Sequence, residues 1–311
     1  MKHGVSKKKK SVKKTLIVII SLVVIFALTG AGYLIYSNYF KKEPTERDFH
    51  TQVATEAAKQ DEKIPIHTEA GDEPIYINAI PGMPKNSYED SGFYTNDFGY
   101  KAYKHNGKDI STVGIDVSYV QGDIDWQAVK SSGVDFAILR CGARGYGESG
   151  IMIEDETFHK NAQEALDAGI DIGVYFFSQA ITVEEAKEEA DFVLDIIKDY
   201  NIKYPVAFDW EHFEEDEART DNIDRTTLTN MARAFCDQVD KAGYTPVIYA
   251  NRSLLYFEYD LANLSDIEIW LASYEDTPNY YYDFGMWQYS KEGTINGIEG
   301  TVDLNVCMYK Y

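Results

Sequence analysis

The sequence predicts an α/β fold built on a closed barrel in which some of the usual helices are missing. Eight short apolar runs, rich in β-forming residues, follow one another from residue 113 to the C-terminus, and helical patterns separate the earlier ones. This alternation is typical of a parallel sheet. The stretch of roughly 200 residues is long enough to bury a full core. An open, doubly wound sheet remains the alternative.

The predicted strands and helices follow from local patterns. The eight strands are expected at residues 113–117, 136–141, 172–177, 206–211, 246–250, 267–274, 285–290 and 302–308. The helices are expected at 155–168, 182–200 and 224–242, with no long helix after Tyr259. Thr182 and Glu185 have the spacing of a capping box, and Gly169 and Gly243 are typical helix stops.

The N-terminus predicts a membrane anchor. Residues 1–14 form a basic tail, and residues 15–36 form an apolar run with no charge. As a helix, this run would be about 33 Å long, enough to cross a bilayer core of about 30 Å. Seven lysines precede it and two follow it, so we expect the N-terminus in the cytoplasm and the body outside the cell membrane. The alternative is a cleaved signal peptide, which would release a secreted protein.

Two further segments lie between this run and the barrel. Residues 37–87 are interpreted as an extracellular linker, because they contain five prolines and show no sustained helical or strand period. Residues 88–111 are rich in tyrosine and phenylalanine, which is too aromatic for a free linker. We therefore expect them to pack onto the barrel as an N-terminal extension.

Charge and cysteine content narrow the function classes. The net charge is −21, and the first 42 residues hold nine lysines and no acid, so the remainder carries −30. Such an acidic body excludes nucleic acid as the expected partner. The three cysteines and six histidines match no metal or redox spacing, and no helix starts at the glycine-rich segment 145–150, so no metal or cofactor is expected. Oligomeric state is not readable from the sequence.

Four carboxylates are the candidate catalytic groups. Asp209 and Glu211 lie two residues apart at a strand end, so their side chains point to one side, with Cα atoms about 6.6 Å apart. Like charges this close raise the pKa of one group, as a proton donor requires. Asp116 and Asp303 lie in the first and last strands, which meet when a barrel closes. A single acid at a strand end is more often a cap, but four that converge are harder to explain in that way.

The body resembles glycoside hydrolase family 25, the lysozymes of the Chalaropsis type. The resemblance covers about residues 112–311 and rests on the order and spacing of several motifs. These are G-I-D-V-S-Y-V-Q-G-D-I-D-W (114–126), F-A-I-L-R-C-G (136–142), A-G-I-D-I-G-V-Y-F-F-S (168–178), D-W-E (209–211), P-V-I-Y-A-N (246–251), I-W-L-A-S-Y (269–274), M-W-Q-Y-S (286–290) and V-D-L-N (302–305).

This resemblance implies a modified TIM-like barrel of eight strands and about five helices. It also implies hydrolysis of the β-1,4 bond between N-acetylmuramic acid and N-acetylglucosamine in peptidoglycan. By the same resemblance, Glu211 matches the general acid, Asp209 the acid that orients the substrate's acetamido group, and Asp116 and Asp303 the supporting acids. We favour a retaining route with acetamido participation, because Asp209 lies beside the acid. The alternative function is an inactive, glycan-binding relative that anchors or organises the cell wall.

The expected substrate-binding residues lie near the strand ends. They are Tyr119, Arg140, Tyr175, Phe177, Tyr249, Tyr274, Trp287, Gln288 and Tyr289. Aromatic rings can stack on a pyranose. Arg140 is expected to bond a sugar or the lactyl carboxylate, or else to form a salt bridge with one of the four acids.

Overall fold

The computed structural model describes residues 57–66, 73–213, 217–309 and 311. Two small antiparallel sheets precede the barrel. The first consists of β1 (Lys63–Ile66) and β2 (Ile75–Asn78), and the second of β3 (Phe93–Thr95), β4 (Lys101–His105) and β5 (Lys108–Asp109). β1 and β2 lie within the stretch interpreted as a linker. That stretch is not a solvated spacer there, because Ile64 and Ile66 alternate on one face and are buried.

Nine strands form the main sheet. They are β6 (Thr112–Val117), β7 (Phe136–Arg144), β8 (Met152–Glu154), β9 (Asp171–Ser178), β10 (Ile202–Trp210), β11 (Pro246–Asn251), β12 (Glu268–Ala272), β13 (Met286–Gly293) and β14 (Val302–Cys307). β6 pairs with both β7 and β14, so eight of the strands close into a barrel, and β8 adds to the edge of β7. The predicted closed barrel is confirmed, and its strands begin and end within a few residues of the predicted positions.

One strand runs against the expected direction. β14 is antiparallel to both β13 and β6, so the expectation of a parallel sheet is wrong for this strand. The consequence matters for the site: the start of β14 lies at the same mouth as the ends of the parallel strands. Asp303, the second residue of β14, therefore reaches the mouth where Asp116 and Asp209 lie at the ends of their strands.

Four α-helices occur in the described part of the chain, fewer than the five or so expected. They are α1 (Trp126–Ser131), α2 (Phe158–Asp167), α3 (Val183–Ile197) and α4 (Arg225–Lys241). Beyond β11, a π-helical turn (Leu254–Glu258) and a 3-10 turn (Leu261–Leu264) stand where a further helix would be. Thr182 caps α3 as predicted, but Glu185 accepts from the N–H of Ile181 rather than completing the box.

The barrel interior is filled below the mouth. Phe136 and Tyr204 stack there with ring centroids 4.2 Å apart, and Cys307 belongs to the same buried cluster. All three cysteines are free and buried. Because apolar side chains close the interior from below, polar groups higher in the barrel open only towards the strand ends.

The predicted basic tail (1–14) and anchor (15–36) lie outside the described residues, as do residues 37–56 and 67–72 of the predicted linker. Within the described ranges, no helix combines the length and apolar character needed to cross a membrane.

Gly114 provides a test of barrel closure. It is directly opposite Phe136 in the β6–β7 register, and a Cβ added there would overlap the Phe136 ring. We expect Gly114→Ala to lower the free energy of unfolding by about 1–3 kcal/mol, because a packed core resists an added methyl group. Urea unfolding measures the effect. Gly147→Ala is the matched control, since nothing lies within 4 Å of its added Cβ; equal losses in both variants would contradict the prediction.

Candidate active site

The barrel mouth contains a pit formed by ten residues from all eight barrel strands and the segment after β10. Its lining residues are Asp116, Arg140, Tyr175, Phe177, Asp209, Glu211, Tyr249, Trp270, Gln288 and Asp303. The four acids predicted from the sequence therefore lie together, along with five of the nine predicted substrate-binding residues. Trp270 was not predicted, although it lies in the I-W-L-A-S-Y motif.

Asp116 and Asp303 face each other across the closure of the barrel. They are direct partners in the antiparallel register of β6 and β14, as expected if first and last strands meet. Side chains of directly opposite residues in such a pair lie about 5 Å apart at Cβ. Two carboxylates are thus held side by side, an arrangement that needs hydrogen-bond donors to be stable.

The side-chain amide of Gln288 supplies those donors. Its Nε2 donates to Asp116 Oδ2 at 2.9 Å and to Asp303 Oδ2 at 3.2 Å. Its Oε1 accepts from the hydroxyl groups of Tyr249 and Tyr274, each at 2.8 Å. Because both hydroxyls donate to the oxygen, the nitrogen must face the carboxylates.

Asn305 repeats this arrangement one step along β14. Its Nδ2 donates to Asp116 Oδ2 at 2.7 Å, and its Oδ1 accepts from the indole N–H of Trp270 at 2.8 Å. Sequence reasoning missed Asn305 as a functional residue. The available signal was its position two residues after Asp303, which places both side chains on the same face of the strand.

Burial and mutual repulsion control the protonation of this first pair. Desolvation and the charge of Asp303 raise the pKa of Asp116 well above its usual value. Desolvation likewise raises the pKa of Asp303, although Lys291 opposes the shift. The two carboxyls therefore hold on to a proton to higher pH than isolated aspartates do.

Asp209 and Glu211 form the second pair. Asp209 is the penultimate residue of β10 and only 4% exposed, whereas Glu211 follows the strand and is half-buried. Trp210 between them points the other way and donates to the carbonyl of Ala180 at 3.2 Å. Desolvation, the charge of Glu211 and the charge of Asp116 raise the pKa of Asp209 well above its usual value. Asp209 therefore holds on to a proton to higher pH than an isolated aspartate does.

Asp209 has one oxygen to offer to a ligand. Among the described residues, its Oδ1 has no hydrogen-bond partner although it is buried. A buried acceptor without a donor is costly, and it is a common feature of ligand-binding sites. A substrate N–H or O–H in the pit would satisfy it.

Gln179 fixes the backbone at Glu211. Its Nε2 donates to the carbonyl oxygen of Glu211 at 2.8 Å, and its Oε1 accepts from the hydroxyl of Thr220 at 3.1 Å. Gln179 is fully buried, directly after β9. Since Glu211 lies beyond the last strand residue, the barrel ladder does not hold it, and this contact does. No sequence motif indicated this role.

Arg140 lines the pit and is bound to an acid that sequence reasoning missed. Its Nε and one terminal nitrogen both lie 2.8 Å from Asp155 Oδ2, so the expected salt bridge is not made to one of the four site acids. The Arg140 guanidinium also lies 4.7 Å from the ring centre of Tyr119. Asp155 accepts from the backbone N–H of Tyr119 as well, which ties the rim together.

Four of the predicted substrate-binding residues do not line the pit. Trp287 is fully buried on the outside of the barrel, against Phe93, and Tyr289 accepts from the backbone N–H of Lys101 on the same face. The reason is strand alternation: Gln288 points into the barrel, so its two neighbours point out. Tyr119 and Tyr274 lie at the rim, about half exposed, and do not line the pit itself.

Across the described residues, no group of three or more His, Cys, Asp or Glu side chains is arranged to hold a metal ion. The chemical groups that line the pit are carboxylates, the amide of Gln288, the guanidinium of Arg140 and aromatic rings.

Comparison with known proteins identifies the family. The model of glycosyl hydrolases family 25 matches residues 115–298, more than half of the chain. The chain belongs to glycosyl hydrolases family 25. Asp303 lies just after the matched residues. The two small sheets that precede the barrel lie before them.

Two relatives are lysozymes. The chain is 27% identical to the autolytic lysozyme of Clostridium acetobutylicum over 193 residues, which are 62% of this chain and 54% of that protein. It is 27% identical to lysozyme M1 of Streptomyces globisporus over 203 residues, 62% of this chain and 66% of that protein. The chain thus spans between about half and two thirds of the length of these relatives.

Solved structures agree on the fold. The modular autolysin LytC from Streptococcus pneumoniae, solved in complex with a synthetic peptidoglycan ligand, has a TM-score of 0.57 and 25% identity, covering 81% of this chain and 58% of that one. The spore cortex lytic enzyme SleM from Clostridium perfringens has a TM-score of 0.55 and 24% identity, covering 66% of this chain and 68% of that one. The second likeness supports the fold alone.

Asp116→Asn tests the electrostatics of the first pair. A carboxyl whose native pKa is raised above the unfolded value of about 3.9 makes its full contribution to stability below that value. This contribution is lost as pH rises through the native pKa. The variant should therefore gain stability relative to the wild type as pH rises above about 4, reaching about 1 kcal/mol or more near pH 7. Thermal unfolding across this range measures the gap.

The control is Asp123→Asn. Asp123 is exposed, and Lys160 lowers its pKa, so its contribution has the opposite sign. Suppose that both variants gained stability relative to the wild type as pH rises. The assignment of a raised pKa to Asp116 would then be contradicted.

Proposed function

We propose that this protein is a muramidase that hydrolyses the β-1,4 bond between N-acetylmuramic acid and N-acetylglucosamine in peptidoglycan. The convergence of two carboxyl pairs from the first, fourth and last barrel strands in one pit carries this proposal. The family membership and the lysozymes among the relatives support it. A pit of acids flanked by aromatic rings fits a polyhydroxylated substrate whose cleavage needs proton transfer.

Glu211 is the proposed general acid. It lies in the pit beyond the strand end and is more exposed than Asp209, so it is the member of the pair that a glycosidic oxygen can reach. The proton that the pair retains moves from Glu211 to this oxygen as the bond to the anomeric carbon breaks. The raised pKa of Asp209, caused by desolvation and by the charge of Glu211, shows that the two carboxyls share the cost of ionisation in the pit.

Asp209 is the proposed orienting group for the 2-acetamido side chain. Its buried Oδ1 can accept the acetamido N–H, which aligns the acetamido oxygen for attack on the anomeric carbon. The attack forms an oxazolinium ion while the leaving sugar takes the proton from Glu211. Water then opens this ion and gives a proton back to Glu211. The route as a whole retains the anomeric configuration. Net inversion in fresh product would contradict this route.

Asp116 and Asp303 are the proposed supporting acids. Asp116 raises the pKa of Asp209, and the amides of Gln288 and Asn305 keep Asp116 in place. Arg140 is proposed to contact a sugar hydroxyl or the lactyl carboxylate of muramic acid, since it lines the pit while Asp155 holds it.

We propose that the barrel lies outside the cytoplasmic membrane, tethered at the cell surface. The apolar run at residues 15–36, with seven lysines before it, supports an anchor whose N-terminus is cytoplasmic. Peptidoglycan as substrate requires the same compartment. Fractionation of cells, followed by protease treatment of intact protoplasts, tests this placement: protection of the barrel from protease would contradict it.

Glu211→Gln is the central test of activity. Because a general acid contributes about 10²–10⁴-fold, the variant should clear a cell-wall suspension at least 100 times more slowly than the wild type. Mass spectrometry of the wild-type products should find muramic acid at the reducing end. Glu184→Gln, an exposed change on α3, is the matched control and should clear at the wild-type rate.

Equal clearing by wild type and Glu211→Gln would remove Glu211 from its assigned role. No clearing by either protein, with retained binding to purified peptidoglycan, would favour the glycan-binding alternative.

Gln179→Leu tests the positioning of Glu211. The variant removes the N–H donor to the Glu211 carbonyl while keeping a similar volume. We expect kcat to fall about 10-fold or more with little change in KM, because a small displacement of a reacting group affects the transition state more than substrate binding. Thr220→Val, which removes only the bond to Gln179 Oε1, should cause a smaller fall in kcat. A rise in KM at constant kcat would contradict the positioning role.

A further inference from the structure

A second cleft opens at the same mouth of the barrel as the pit. It lies where the adjacent parallel strands β11 and β12 end, with Asn251 and Ala272 as partners in the register. Its volume is about 330 Å³, at the lower end of the range of roughly 300–1,000 Å³ that small-molecule sites occupy. The carboxylates of the pit do not line it.

Tyr274 joins the cleft to the pit. It is one of the residues that line the cleft, and its hydroxyl donates to Gln288, which lines the pit. Half of Tyr274 is exposed. Tyr274 therefore lies between the two spaces, and a ligand that extends from the pit past this tyrosine would reach the cleft.

The chemistry of the cleft fits an uncharged sugar. Phe257 is 42% exposed, and Tyr274 is 50% exposed, so both offer surface on which a pyranose can stack. Asn251 and Ser273 are neutral polar groups in the lining, and Arg252 is neutralised by its salt bridge to Glu275. A charged peptide would find no unpaired partner among these residues.

Ser273 is an independent indication of a ligand. Only 5% of the Ser273 surface is exposed, and its Oγ has no hydrogen-bond partner among the described residues. Its backbone is held rigidly, since its N–H donates to Gln288 and its carbonyl accepts from the Trp287 indole at 2.6 Å. Ser273 lines the cleft, and its buried hydroxyl lacks a partner that a ligand bound there would supply.

One wall of the cleft comes from outside the family-matched region. Ile66, at the end of β1, lines the cleft, whereas the family match begins at residue 115. β1 pairs with β2, and the buried Ile64 secures the same strand to the core. The segment before the barrel thus adds a surface that the matched part of the chain does not provide.

We propose that this cleft is an additional saccharide subsite, which holds an N-acetylated sugar of the glycan strand next to the pit and uses Ile66 of the preceding segment as one wall. The proposal rests on the proposed muramidase function. It implies that the protein prefers glycan strands long enough to fill both spaces over fragments that fill only the pit.

Phe257→Ala tests the subsite by its effect on chain-length preference. The substrates are peptide-free glycan strands, one preparation long and one trimmed to short oligosaccharides. The ratio of kcat/KM for long over short strands should fall about three- to tenfold, as expected for the loss of one aromatic contact. Ile66→Ser should lower the same ratio. An unchanged ratio in both variants would overturn the proposal.

Tyr76→Ala is the matched control for the Ile66 variant. Tyr76 lies on β2, opposite Pro65, and is 64% exposed, away from the cleft lining. Its ratio should equal that of the wild type. If Tyr76→Ala lowered the ratio as much as Ile66→Ser does, the effect would belong to the small sheet as a whole, and Ile66 would lose its role as a wall.

A binding measurement separates this proposal from the proposed function. Calorimetric titration of Glu211→Gln with the same two preparations requires no catalysis. Tighter binding of the long strands, reduced three- to tenfold by adding Phe257→Ala, would support the subsite even if the wild type cleaved neither preparation. Equal affinity for both lengths would overturn the subsite and leave the muramidase proposal intact.

Discussion

The repulsion between carboxylates packed into one barrel is the constraint on which this site depends. Asp116 faces Asp303 across the strand closure, and Asp209 lies near enough for Asp116 to raise its pKa. Gln288 and Asn305 make the arrangement stable, since each amide is fixed in orientation by a neighbouring O–H or N–H donor and directs its own N–H groups at the carboxylates. Fully satisfied networks of this kind position their members rigidly.

The segment before the barrel packs against β13, the strand that carries Gln288, from outside the barrel. Trp287 is buried next to Phe93, while Gln288 beside it faces the interior. Packing on the outer face therefore restrains the residue that holds the carboxylates on the inner face. Ile66 of the same segment lines the second cleft. These contacts make the preceding segment part of the active barrel rather than a passive connection.

Sequence reasoning succeeded where local patterns carry the information. The eight strand runs and the three long helices follow from periodicity, and the i, i+2 spacing of Asp209 and Glu211 fixes their common side. The pairing of Asp116 with Asp303 followed from closure of the barrel alone. The sequence-based prediction failed for Trp287 and Tyr289. An aromatic residue near a strand end does not reveal which face of the sheet it occupies until the register of that strand is known.

The sequence by itself determined the family, the barrel and the identity of the four acids, because each depends on residues close together or on the order of strands. Only the tertiary structure decided the direction of β14, the amides that face Asp116 and the contact between Gln179 and Glu211. These features join residues 32 to 189 positions apart. Such contacts depend on how strands are registered around the closed barrel, a property of the whole assembly that no local pattern encodes.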